Sequence, residues 1–140
     1  MLARAGSAIV LVLLAAAPAV AADAVQGEWL VQDGKSKVTI TPCKAAPDKV
    51  CGAVSWLKTA EDQAKKDSRN PDPALQGRPI MGLPILWDFR QAGPGRWTGG
   101  KIYDPHDGKT YKSKLTVTAP GTLKVEGCVL MICQAQTWTR

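Results

Sequence analysis

From Gly27 onward the chain alternates between apolar and polar positions. In "TYKSKLTV", Tyr111, Ser113, Leu115 and Val117 share one face, while Lys112, Lys114 and Thr116 share the other. In "TLKVEG", Leu123 and Val125 oppose Lys124 and Glu126. A period of two is that of an antiparallel strand with one covered and one wet face. Runs of this kind, separated by Gly, Pro and Asp signals, predict eight strands. They span approximately Gly27–Gln32, Lys37–Thr41, Val50–Leu57, Pro84–Phe89, Arg96–Asp104, Lys109–Thr118, Thr122–Cys128 and Cys133–Arg140. The turns have their own chemistry. "QDGK" around Gly34 and "APGT" around Gly121 offer a left-handed residue; "DPHDG" from Asp104 to Gly108 adds a preset proline φ and an Asp cap.

Eight hairpin-connected strands leave two open edges, and closure into an up-and-down barrel removes them. Closure requires the last strand to lie beside the first, which gives the terminal "TWTR" a place next to "GEWL". The expected fold is therefore an all-β, eight-stranded antiparallel barrel, one domain over residues 23–140. In the last strand, Gln134, Gln136, Trp138 and Arg140 share a face, and Cys133, Ala135, Thr137 and Thr139 share the other. If the tryptophan points inward, both amides do also, and buried amides need polar partners or a ligand. If the small face points inward, the glutamines are wet. The pattern leaves both registers open.

One connection breaks the rhythm. Residues 58–84 read "KTAEDQAKKDSRNPDPALQGRPIMGLP". Asn70-Pro71 and Asp72-Pro73 enforce turns, and "PALQG" suits one helical turn. Connections this long are uncommon and tend to be functional or mobile, although a merely structural crossover is the competing reading. The segment is expected to cover one mouth or one flank of the barrel, with Asn70, Asp72 and Arg78 as its lid or interaction residues.

The first stretch follows another pattern. "MLARAGSAIVLVLLAAAPAVAAD" has one basic residue, Arg4, an apolar run from Ala8 to Ala17, and small residues at Ala19–Ala21. The run is shorter than the roughly 20 residues a bilayer span needs, so residues 1–22 read as a cleaved export signal rather than an anchor. The mature chain is then periplasmic or secreted, without a transmembrane segment. Four cysteines, Cys43, Cys51, Cys128 and Cys133, fit an oxidising compartment. Three pairings are possible; the local one, Cys43–Cys51 with Cys128–Cys133, is the simplest. The chain contains no C-x-x-C and a single histidine, which argues against redox and metal sites. The net charge of +6 is scattered and not interleaved with aromatics, so nucleic acid is not an expected partner.

Several segments carry a family likeness. "GEWL", "CGAVSWLK", "NPDPALQGRPIMGLPIL", "RWTGGKIYDPHDGKTYKSKLTV", "LKVEGC" and "CQAQTWTR" resemble, in order, the bacterial exported family known as domain of unknown function 2147. The likeness implies export and a calycin or lipocalin-like barrel, and assigns no activity. Calycins also commonly carry a Gly-x-Trp on the first strand and a late arginine over that indole. That implies a structural closure by Gly27, Trp29 and Arg140, although Arg140 stands at the extreme terminus.

Catalytic chemistry is thinly represented. His106 sits within a hairpin turn, a poor place to exclude water. Asp104, Asp107, Asp67, Asn70 and Asp72 could offer oxygen ligands, but turn capping accounts for them and no metal is expected. The five tryptophans, Trp29, Trp56, Trp87, Trp97 and Trp138, suit the filling of a small barrel. The expected function is non-catalytic binding of a small amphipathic or envelope-derived molecule, with no cofactor. Trp29, Trp56, Tyr111, Gln134, Gln136 and Trp138 are the candidate lining. The alternative is an interaction module or hydrolase inhibitor that meets an envelope protein through the 58–84 segment. An enzyme relying on His106 ranks third.

Overall fold

The structure, a computed structural model, describes residues 2–3, 5–14 and 22–140. The end of the expected leader, with Ala19–Ala21, lies outside the described residues. Residues 5–14 form no helix or strand and are exposed.

Eight strands follow in chain order: β1 Gly27–Leu30, β2 Ser36–Pro42, β3 Lys49–Leu57, β4 Pro84–Gly93, β5 Arg96–Asp104, β6 Lys109–Ala119, β7 Thr122–Val129 and β8 Ile132–Thr139. Each pairs antiparallel with the next, and β8 returns to β1, closing the barrel. A helical turn, α1 (Ala22–Val25), precedes β1. β1 is shorter than the alternation suggests. The Val31 N–H already bonds Ser36 O, and Gly34 N–H bonds Val31 O, so the turn takes Val31 and Gln32 from the strand. β4 is longer, because Arg90 and Gln91 continue the ladder against Thr98 and Trp97.

Closure is narrow. Leu30↔Thr139 is the sole ladder pair between β1 and β8. Side chains reinforce it: Gln32 Oε1 accepts from the Thr137 N–H at 2.8 Å. The Arg140 guanidinium lies over the Trp29 ring, 4.1 Å from its centroid, and donates to Gln26 O and Ala24 O. Trp29 Nε1 in turn donates to Val25 O at 2.8 Å, so α1 is fastened to the same point. Gly27 has φ +111°, and a Cβ there would stand 3.0 Å from Arg140 Nη1. A residue without a side chain is needed on both grounds.

The interior is filled by side chains, as expected of an eight-stranded barrel. Trp29, Val38, Ile40, Leu86, Phe89, Trp97, Leu115, Leu123, Val125 and Trp138 are buried in one cluster. Phe89 packs against the backbone of Gly100, where any Cβ would enter its ring.

The 58–84 segment lies along a flank. Leu86 and Ile102 face each other across the ladder, so the neighbouring Tyr103 points to the outer side, where the segment covers it. Asp67 is fully buried there. Its carboxylate accepts from Tyr103 Oη at 2.5 Å, Asn70 Nδ2 at 2.9 Å and Arg78 Nη2 at 3.3 Å. The "PAL" of "PALQG" forms a 3-10 turn, Pro73–Leu75, capped by the Asp72 side chain. A further turn, α2 (Ala60–Gln63), is capped by Thr59, whose hydroxyl accepts from the Asp62 N–H. Sequence reading missed α2, although Thr59 with Asp62 three residues on is a capping signal.

The disulfides are Cys43–Cys51 and Cys128–Cys133. The first ties the chain just after β2 to β3, and the second crosses the β7–β8 ladder.

Candidate functional site

β8 decides where the barrel is open. Its ladder with β7 sets Trp138 opposite Leu123, Gln136 opposite Val125 and Gln134 opposite Gly127. Opposed residues share a face, and Leu123 and Val125 belong to the core. Gln134, Gln136 and Trp138 therefore face inward together. Trp138 is buried, yet both glutamines are exposed. The cause is the narrow closure: β1 ends at Leu30, so the first half of β8 has no strand on its other side. Water reaches the inner face there, and the two open registers of the sequence resolve into a third arrangement, amides inward but wet.

Tyr111 joins the same rim. It stands opposite Ile102 on the inner face, half-buried, and a methyl group added at Gly127 would lie 3.7 Å from both residues. Its phenol donates to the Asp107 carboxylate, which raises its pKa above the usual tyrosine range. Trp138 Nε1 donates to Gln136 Oε1 at 3.0 Å, so the indole below is coupled to the amide above. Tyr111, Gln134 and Gln136 thus present one phenol and two amides around an apolar floor. Such a set can hydrogen-bond a polar head and contact an apolar body.

The remaining expected lining lies elsewhere. Trp29 is sealed beneath Arg140 in the core. Trp56 stands opposite Lys37, whose ammonium lies 5.3 Å from the ring centroid and pairs with Glu28. Trp29 opposes Val38 inside, so Lys37, Glu28 and Trp56 form an outer patch. Asn70 and Arg78 hold Asp67 beneath the flanking segment, and Asp72 caps a turn. Burial and the Asp67 carboxylate push the Tyr103 phenol up to about 12. Asp67, expected from the sequence as a turn cap, is instead the buried anchor of the segment. A lone Asp in a charged stretch carries no sign that its partner, Tyr103, lies 36 residues away.

His106 is exposed in the turn, where Asp104 accepts from its backbone N–H. Among the described residues, one His/Cys/Asp/Glu group has metal-holding dimensions, Cys43, Cys51 and Asp88, but its sulfurs are joined in a disulfide. Two surface hollows stand out. One, of about 380 Å³, lies along the closure between Glu28, Leu30, Lys37, Thr139 and Arg140. The other, of about 600 Å³, lies beside the β7–β8 tip. No helix among the described residues is long and apolar enough to cross a membrane.

The barrel is similar to protein HP1028 from the human pathogen Helicobacter pylori, a protein described as belonging to the lipocalin family. The two share 27% identity with a TM-score of 0.72, over 82% of this chain and 81% of that one. No curated protein matches the sequence as a relative. Residues 27–140, all eight strands, match a single family, and the chain belongs to it: "Uncharacterized protein conserved in bacteria (DUF2147)".

Proposed function

We propose that this is an exported, non-catalytic binding protein that takes a small amphipathic molecule at the open rim beside β8. The observation that carries this reading is the pair Gln134 and Gln136, facing inward by register yet exposed to water. Gln136 accepts from the Trp138 indole, while its amide nitrogen and the Gln134 amide stay open to water. Their amides suit a ligand's polar end, with Tyr111 beside them and Trp138 below. The interior is filled, so the ligand sits shallowly. Two disulfides and the apolar run at Ala8–Ala17 support a periplasmic or secreted location, after loss of residues 1–22. The lipocalin-like fold supports binding by analogy only.

The test uses N-phenyl-1-naphthylamine as an amphipathic probe, with native mass spectrometry of gently purified protein alongside. Probe binding should shift Trp138 emission through Gln136, and Gln134→Ala with Gln136→Ala should weaken it at least tenfold. No bound mass and an unshifted emission spectrum at saturating probe would remove the reading.

The interaction-module alternative has one observation in its favour. The Pro73–Leu75 turn is exposed but pinned from below by Asp67, and a rigid projecting loop is a low-entropy contact. A stoichiometric envelope partner that is lost when residues 70–79 are deleted would favour it.

A further inference from the structure

Between residues 22 and 140 every large apolar side chain that is well exposed sits in one place. Val129 is 58% exposed, Leu130 92%, Met131 96% and Ile132 76%. They form the tip of the β7–β8 hairpin, with Val129 opposite Ile132 and a two-residue turn between them. Such turns favour Asn and Gly, which adopt positive φ readily. Here the turn is Leu130-Met131, and Leu130 holds φ +54°. A leucine in that region is strained, and neither side chain buries itself in the barrel. Directly behind the tip, Cys128–Cys133 crosses the ladder and holds the hairpin in shape. The sequence keeps an apolar turn that local folding preferences would remove.

The charged side chains lining the adjoining hollow are of one kind. Lys101, Lys112 and Lys114 line the 600 Å³ hollow together with Leu130 and Met131. All three lysines are exposed, and among the described residues none makes an ion pair. Glu126 stands opposite Lys114 in the ladder but forms no bridge to it.

We propose that this tip docks the protein on a bilayer that carries anionic phospholipid. Val129, Leu130, Met131 and Ile132 enter the boundary between headgroups and acyl chains, and the three lysines meet the lipid phosphates. The geometry favours a bilayer over a protein partner. Four side chains on a narrow tip fall well short of the roughly 1,000 Å² a specific protein interface needs. Lysine is depleted in the cores of protein interfaces, but its long stem reaches lipid headgroups readily. Apolar insertion beside lysines is the usual chemistry of a peripheral membrane contact. This surface adjoins the binding rim, since Ile132 lies two residues from Gln134 on β8, but its reading does not depend on that one.

Hydrogen exchange of the whole chain, measured peptide by peptide with and without vesicles, tests the tip separately from the N-terminal apolar run. Phosphatidylglycerol vesicles should slow exchange across residues 128–133, and phosphatidylcholine vesicles should not. Leu130→Ser with Met131→Ser should abolish the protection without altering the barrel peptides. Each Lys→Gln change at 101, 112 or 114 should weaken partition about fivefold. Three results would overturn the proposal: a tip that exchanges equally fast with and without phosphatidylglycerol, equal protection by both lipids, or a tip already protected in a vesicle-free dimer.

Discussion

Arg140, the last residue, stacks on Trp29 at the start of the first strand, 4.1 Å from the ring centroid. The same guanidinium donates to Gln26 O and Ala24 O, at 2.5 and 2.8 Å. One ladder pair joins β1 to β8, so this side chain performs much of the closure. Arg140→Ala should cost about 2 kcal/mol, from an exposed cation–π contact and two charge-assisted hydrogen bonds. Arg140→Lys should fall between, because an ammonium cannot stack and bridge both carbonyls at once. Removing Thr137–Arg140 also deletes the buried Trp138, which alone is worth about 3–5 kcal/mol. That variant should lose its cooperative transition in urea, whereas an ordinary frayed tail would leave the midpoint unchanged.

Tyr103 and Asp67 predict alkaline lability. The Tyr103 phenol has its pKa raised to about 12 by burial and by the Asp67 carboxylate, above the ordinary tyrosine value of about 10. A raised pKa means that the folded state holds the proton more tightly than the unfolded one. The contribution is complete below pH 10 and is lost as pH rises toward 12, by at most about 3 kcal/mol. Tyr103→Phe should remove this component of the pH dependence between 10 and 12. At pH 7 the same variant should cost about 1.5–3 kcal/mol for a hydrogen bond to a charged acceptor. Asp67→Ala should cost more, since it strands Tyr103, Asn70 and Arg78 together. Urea unfolding at pH 7, 10 and 11.5 checks both signs.

The barrel was legible because its signals are local. Alternation at Tyr111–Val117 and Leu123–Glu126, with glycine turns between, carries strand number, order and direction. The local disulfide pairing also follows from hairpin geometry. The rim was only half legible. The alternation correctly grouped Gln134, Gln136 and Trp138, but exposure depends on where β1 stops, which a turn hydrogen bond at Val31 sets. Trp56 misled for a related reason. The register shifts between Lys37 and Val38, which places Trp56 opposite Lys37 on the outer face. The Asp67 anchor was illegible because its tie to the barrel, Tyr103, lies across a long separation, with no periodicity to announce it.

The two disulfides should differ in what they protect. Each closes a short loop and should contribute about 2–2.5 kcal/mol by chain entropy. Cys43→Ser with Cys51→Ser removes a staple at the β2–β3 end, where Thr41↔Cys51 pairing persists without it. Its loss should lower the melting temperature and leave the hairpin tip unchanged. Cys128→Ser with Cys133→Ser frees the strained Leu130 turn. It should lower stability by a similar amount and also raise amide exchange across residues 128–133. Exchange rates at the tip that were identical in the two variants would show that the second disulfide has no role in shaping it.

Phe89 and Gly100 give a test of packing free of backbone strain. Gly100 does not have a positive φ, unlike its neighbour Gly99 at +72°. Its conformation is open to alanine, so only space opposes the substitution. That space belongs to the Phe89 ring, which a Cβ at residue 100 would enter. Gly100→Ala should therefore cost about 1–3 kcal/mol, as overpacking of a filled core does. Phe89→Leu should also destabilise, by leaving a cavity. Combined, the two should cost less than their sum, because the smaller side chain makes room for the methyl group. A double-mutant cycle measured by urea unfolding reads this coupling directly, with an expected interaction of about 1 kcal/mol in the favourable direction. Strict additivity would show that Gly100 is required for its backbone and not for the ring that lies on it.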